Sequence, residues 1–313
     1  MNGLLASELA DSVDERFLVR YWVPAFVGLV AAVLLTGARV GGDTLLAAVE
    51  GLDGTGAILL ALVLLLLVTV VAALLMGARG IVLGVAQGLG WPRRLVVRGI
   101  VRQTERRQAA VAQLEQCLAA GEQGLLARRA AERVADWFPT GPEIAPTVLA
   151  NALLASEQYP WRAYGMPGPV WWPRLLAVAP TPYRAALDAA ATPIITMANL
   201  AAVLLGVAAA ALVLAATGTD PAAMLLVAVA TVLLARGLYV AICEGAVAYG
   251  QQVRVGFDLH RRALLEELGP EDASDPAAER ARWSELTARL EPNLVPLLAA
   301  PDSPRRPHER TVA

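Results

Sequence analysis

Lysine is absent from this chain of 313 residues, histidine occurs twice, at His260 and His308, and cysteine twice, at Cys117 and Cys243. Charged residues make up 17% and aromatic residues 5%. Each shortage removes a class of chemistry. Without lysine there is no GxxxxGK[ST] phosphate loop and no Schiff-base amine, and two histidines cannot build a multi-histidine metal centre. The charge deficit points elsewhere, because an ordinary soluble domain carries about 25% charged residues. A chain that is 57% hydrophobic and so poor in charge concentrates its apolar residues in segments that live in lipid.

Four such segments are present. Residues 22–38, 56–78, 194–216 and 221–243 are apolar runs of about the length needed to cross the roughly 30 Å hydrocarbon layer, and none alternates with period two as a barrel strand does. Together these 86 residues hold one charge, Arg236, while the other 227 carry 53. The fold class read from this pattern is all-α: a polytopic membrane protein with four transmembrane helices in two hairpins and a cytoplasmic helical domain. Thr192 or Asp220 is placed to cap the third and fourth spans, with Pro193 or Pro221 at the first helical position, where no amide hydrogen is missed. The linker from Arg39 to Thr55 includes TLLAAVEGL, which suits a short surface helix.

Arginine counts set the orientation, since positively charged flanks resist translocation. Residues 79–193 contain 13 Arg, 244–313 contain nine, and 1–21 contain Arg16 and Arg20, whereas Arg39 alone lies in the remaining loops. Both termini and the long middle segment are therefore expected on the cytoplasmic side of a bacterial inner membrane. Residues 1–21 read as a cytoplasmic segment and not as an export signal, because Glu8, Asp11, Asp14 and Glu15 precede the first apolar run. The two cysteines then belong to a reducing compartment and read as free thiols.

The cytoplasmic portions differ in kind. Residues 79–101 mix apolar side chains, Trp91 and arginines, a composition suited to a helix that leaves the bilayer and lies at headgroup level, broken by Pro92. Gly80, Gly84 and Gly88 repeat at GxxxG spacing, which permits close helix packing within the chain or a dimer contact. An amphipathic pattern follows from Thr104 to Phe138, interrupted at Gly121 and Gly124. Residues 139–193 are rich in proline and carry Tyr159, Trp161, Tyr164, Trp171 and Trp172, so they read as an ordered, compact region with short helices at 146–157 and 183–191. The apolar positions Ala246, Tyr249, Val253, Phe257, Leu264 and Leu268 share one face, extending the fourth span into a helix of more than 40 residues that Gly269 and Pro270 stop. A further short helix presents Trp283, Leu286 and Leu290, and 301–313 reads as a disordered tail within a cytoplasmic region that begins at 244.

The strings ANALLASEQYPWRAYGMPGPVWWPRL and YGQQVRVGFDLHRRALLEELG, with a following ERARW and an earlier QGLGWP, resemble a set of four-span bacterial membrane proteins. The pattern that carries the resemblance has an Arg-Leu-Gly-Asn start, an acidic residue before tyrosine, a basic residue before Tyr-Gly, then WPRL, and later FDLHR or FDLYR. Leu149–Asn151, Glu157, Tyr159, Arg162, Tyr164, Gly165, Trp172–Leu175 and Phe257–Arg261 fill those places, over roughly residues 80–290. The chain departs at Leu149 and Ala150, where Arg-Leu-Gly is the pattern. The resemblance implies the four-span architecture and brings no activity.

Two polar clusters stand out: Glu157, Arg162 and Tyr164 in one motif, and Asp258, His260 and Arg261 in the other. A catalytic reading makes His260 a general base oriented by Asp258, with Ser156 or Cys117 as nucleophile. Positions two apart on a helix point about 200° away from each other, so a structural reading, in which the clusters bond across the 139–193 region and the 244–268 helix, ranks first. Arg236 is an intramembrane charge. Asn199 lies at nearly the same depth on the antiparallel third span, and an Asn199–Arg236 contact is expected, with the guanidinium snorkelling. No catalytic residue, metal or cofactor is assigned. The leading function is a non-enzymatic membrane platform whose ordered aromatic surface, Trp161, Trp171, Trp172 and Trp283, binds another protein or a second copy in addition to the lipid bilayer. An oligomerising, membrane-disrupting effector of a bacterial defence system, and a small transporter or channel, are the alternatives. Nucleic acid is not an expected partner, because the arginines are interleaved with acids.

Overall fold

The computed structural model describes residues 15–121, 124–269 and 275–290. The acidic residues Glu8, Asp11 and Asp14, the stop at Pro270, His308 and the 301–313 tail lie outside the described residues. Every regular element within them is helical, and four helices are long and apolar enough to cross a membrane. This is a membrane protein.

Helix α1 starts at Glu15–Phe17, passes through a π-helical turn at Leu18–Trp22 and continues as Val23–Val40. Pro24 explains the irregularity: it brings no amide hydrogen for the carbonyl four residues earlier, that of Arg20. After the short α2 (Gly42–Glu50), α3 (Gly54–Gly77) begins at an Asp53 cap whose carboxylate accepts the Gly56 amide at 2.7 Å. Only Val68 and Ala72 of α3 are buried, packing with Tyr21 and Ala25 of α1. Val71 and Leu75 pack beside them, while most other side chains of α3, Leu66 at 65% exposure among them, are left uncovered by protein, as suits a lipid-facing helix.

Helices α4 (Arg79–Gln87), α5 (Arg93–Ala119) and α6 (Leu125–Trp137) follow, then α7 (Val148–Tyr164), α8 (Gly168–Val178), α9 (Thr181–Ala216), α10 (Pro221–Leu268) and α11 (Pro276–Leu290). The 139–193 region is more helical than its prolines imply. Pro160 and Pro173 sit inside α7 and α8, and the third apolar run is not started by Thr192 and Pro193. Instead α9 begins at Thr181, and Pro193 lies within it. A mid-helix proline costs one hydrogen bond and a clash, a penalty that tertiary packing on both sides of Pro193 overrides. The fourth run starts as its residues dictate, with Asp220 accepting the amides of Ala222 and Ala223 and Pro221 at the first turn. From there α10 continues unbroken to Leu268.

Besides the contact of α1 with α3, three apolar clusters hold the described helices together. At the level of the apolar runs, α9 and α10 pack through Ala208, Ala211 and Ala228, small residues that let the backbones approach. Lower down, Ile194, Ala198, Ile242, Cys243 and Ala246 close on Leu149 and Ala152 of α7. The third cluster gathers Met166, Val170, Trp171 and Leu175, Leu187 of α9, Val253, Phe257 and Leu264 of α10, and Trp283 and Leu286 of α11. Leu268 and Leu290, expected on apolar faces, are instead 39% and 42% exposed, because each stands at the last residue of its helix, where the described chain offers nothing to cover it.

Candidate functional site

Two polar seams tie the helices together, and the motif residues fall mainly in the first. Asp258 on α10 accepts hydrogen bonds from Tyr159 Oη at 2.7 Å and Tyr164 Oη at 2.6 Å, both from α7. Tyr159 and Tyr164 are five residues apart, so their rings meet edge to face at 6.3 Å and converge on one carboxylate. Arg261, three residues on from Asp258, lays its guanidinium 4.1 Å from the Tyr164 ring centroid, donates to the Asp258 carbonyl, and pairs with Glu279 of α11 at 2.9 Å. Glu279 also accepts Trp283 Nε1 at 3.3 Å. On α11, Arg280 donates to the carbonyls of Arg162 and Ala163 at 2.8 and 3.0 Å, satisfying acceptors that the end of α7 leaves unpaired. Burial, followed by the hydrogen bond and charge of Asp258, pushes the Tyr159 phenol well above its ordinary range. The Tyr164 phenol rises for the same leading reason, with Arg261 opposing.

The other motif residues stand apart from this seam. Glu157 has an exposed side chain, yet enough protein surrounds it that partial desolvation raises its carboxyl. Arg162 is exposed and contributes its backbone carbonyl, not its guanidinium. His260 packs its ring on Tyr183 at 5.0 Å, and its Nε2 is buried without a hydrogen-bond partner. Ser156 donates to the carbonyl of Leu153 in its own helix, and Cys117 lies on α5. A His260–Asp258 dyad with either nucleophile therefore does not assemble. The helical offset that separates positions two apart sends Asp258 to the tyrosines and His260 to α9.

Compared with family models, curated proteins and solved structures, the chain matches none. The motif resemblance thus rests on the quoted residues alone, and the site has to be read from its own geometry.

The second seam lies where α1 meets α9, and the sequence reading missed it. Arg20 donates to Asp188 Oδ1 at 2.7 Å, to the Asp188 carbonyl at 3.0 Å and to Thr192 Oγ1 at 2.7 Å, and Arg16 pairs with the same carboxylate. Just above, Asn199 Nδ2 donates to the Arg20 carbonyl at 2.9 Å, the acceptor that Pro24 leaves without its helical partner. The expected Asn199–Arg236 contact is accordingly replaced. Asn199 is 1% exposed and turned toward α1, while Arg236 is exposed on α10 with its guanidinium 5.9 Å from the Tyr239 ring. Equal depth did not imply a shared face. The signal that was available is the pairing of an arginine before one apolar run with an acid before another.

Gly80, Gly84 and Gly88 do not form one packing stripe. Gly80 opens on empty space, Gly84 backs onto Leu89, and Gly88 ends α4 in the left-handed region at φ +90°, where its missing Cβ leaves room for Pro146. Two of the aromatics expected at the surface are fully buried. Trp171 and Trp283 meet edge to face at 4.8 Å, and Trp171 Nε1 donates to Thr287 Oγ1 at 2.8 Å. They dock α11 onto α8, so of the four tryptophans Trp172 is half-buried and Trp161 alone is exposed.

Proposed function

We propose that this protein is a non-enzymatic membrane platform of a bacterial inner membrane, with four spans in two hairpins, both termini in the cytoplasm, and a cytoplasmic helical body that binds another protein or a second copy of the chain. The arginine distribution supports the orientation. The four-residue connection from Thr217 to Asp220, and the contact of α1 with the lower part of α3, support the pairing of spans.

One observation carries the binding role: Leu118 at the end of α5 and Leu125 and Leu126 at the start of α6 are each at least 61% exposed. They crown an arm that is otherwise charged, with α6 bearing Arg128, Arg129, Glu132 and Arg133. Three large apolar side chains that flank the connection of α5 to α6, on an arm this reading places in water, have no lipid to cover them, and exposed apolar surface of this kind marks protein contacts. The buried tryptophans no longer argue for this role, and the arm replaces them.

The test is affinity purification of the full chain after crosslinking in the membrane, alongside a Leu118→Glu, Leu125→Glu, Leu126→Glu variant. A crosslinked partner or dimer that the variant loses is the expected result, whereas a wild-type chain recovered only as monomer overturns the proposal. Expression with a membrane-potential dye addresses the effector alternative, since a platform leaves the potential intact.

A further inference from the structure

We infer that the segment from α4 through the first three turns of α5 is a docking surface for anionic phospholipid headgroups. Its core is the stripe Arg94, Arg98 and Arg102. Spaced at four residues, these side chains share one face of α5, and all three are exposed. Val97 at 52%, Val101 at 51% and Leu95 at 46% exposure flank them on the same half of the helix. The opposite half is the one that packs on protein: Gly99 meets Pro146 and Gln103 is 6% exposed. On α4, Ile81 at 71% and Val85 at 52% extend the apolar surface back to the end of α3, with Leu89 and Trp91 exposed in the turn between.

Charge partition identifies the occupant. From Arg79 to Thr104 the chain carries Arg79, Arg93, Arg94, Arg98 and Arg102 and no acid. None of these five forms an ion pair or hydrogen bond with the described residues. Several arginines that face other helices of the body are paired internally: Arg254 with Asp136 at 2.5 Å, Arg261 with Glu279, and Arg107 with the carbonyl of Gly141 at 2.9 Å. An unpaired basic stripe interleaved with exposed aliphatic side chains is a poor solution for water, which leaves the apolar groups unburied. It suits a headgroup layer, where guanidinium meets phosphate and the aliphatic groups reach the acyl boundary. Continuity supplies the remaining argument, because Arg79 follows the last residues of the α3 span directly. This surface is independent of the arm tip proposed to bind protein.

The experiment uses the full chain with Cys117→Ser and Cys243→Ala, carrying a nitroxide at Val97→Cys or Val101→Cys, reconstituted in vesicles of phosphatidylcholine alone or with phosphatidylglycerol. Relaxation by oxygen against a water-soluble nickel complex gives the depth of the label. The expected result is immersion at headgroup depth that increases with phosphatidylglycerol and is lost in Arg94→Gln, Arg98→Gln, Arg102→Gln. In parallel, native mass spectrometry of the purified chain should show the triple variant binding phosphatidylglycerol on the order of a hundredfold more weakly, at about fivefold per arginine. Labels open to the nickel complex in both vesicle types overturn the inference and leave the face to an acidic protein. Immersion indifferent to lipid charge overturns its anionic selectivity. Circular dichroism of each variant separates these outcomes from misfolding.

Discussion

Trp283→Ala tests whether a pair of buried indoles is what fastens α11 to the rest of the body. The side chain is 0% exposed, stands edge to face with Trp171, and donates to Glu279, the partner of Arg261. Truncation removes the indole's transfer free energy, leaves a cavity walled by Trp171 and Phe257 helices that cannot collapse far, and weakens the orientation of Glu279. Losses of this kind amount to about 3–5 kcal/mol for a buried tryptophan. The cost falls on a helix of 15 residues whose other buried groups are Glu279, Leu286 and Thr287, so α11 should open locally before the membrane helices do. Hydrogen exchange followed by mass spectrometry reads this directly. Protection of amides in 276–290 should fall by roughly two to three and a half orders of magnitude, with amides of α9 and α10 above Cys243 unchanged. Trp283→Phe, which keeps a ring but loses the Nε1 donor, should lie between. Unaltered protection of α11 in Trp283→Ala would refute the claim that the indole pair is the fastening, and equal loss throughout α10 would show that α11 does not open as a unit.

Other consequences follow from the two seams. Tyr159 and Tyr164 hold their protons to higher pH in the folded protein than the ordinary value of about 10. Their contribution to stability is therefore complete below about pH 10 and is lost as pH rises through the folded values; Asp258→Asn should lower both, and phenolate absorbance compared with Tyr159→Phe and Tyr164→Phe measures it, an unchanged titration arguing against the shared carboxylate. Gly256→Ala drives a Cβ into Tyr183 Oη, whose hydroxyl donates to the Gln252 carbonyl at 2.8 Å; the ring must move, at about 1–3 kcal/mol, and Tyr183→Phe in the same chain should restore part of the melting temperature. Asn199→Leu leaves the Arg20 carbonyl without its donor and should cost ~0.6–1.7 kcal/mol in a detergent unfolding titration, while a neutral result would mean that the π-helical turn satisfies itself. Arg236→Leu, by contrast, should leave the same titration within about 0.5 kcal/mol of wild type, because that side chain is exposed and, among the described residues, lies over the Tyr239 ring without a hydrogen bond or ion pair.

The motif residues show how sequence spacing and spatial grouping part company. Tyr164, Asp258 and Arg261 converge, yet Tyr159, singled out there only as part of a motif, proves as close to the carboxylate as Tyr164. Glu157, Arg162 and His260, equally prominent as letters, point elsewhere. The reason lies in helix phase: each residue turns the side chain by about 100°, so which neighbours converge depends on how the helices are rotated against one another. The partners Glu279, which opens the ERARW string, and Asp136 come from separate helices, and nothing local marks either as the partner of Arg261 or Arg254.

Length and polarity of the apolar runs were sufficient to determine four membrane-crossing helices and an all-helical body, because hydrocarbon satisfies no backbone hydrogen bond and a helix of given length either spans it or does not. The Asp220 cap was equally local, being a contact within three residues. Only the tertiary structure decided that α9 runs through Pro193, that Asn199 faces the carbonyl freed by Pro24 and not Arg236, and that Trp171 and Trp283 are interior. Those outcomes depend on groups far apart in the chain offering a bond or a cavity at the right place, and a proline or tryptophan carries the same local propensity whether or not that partner arrives.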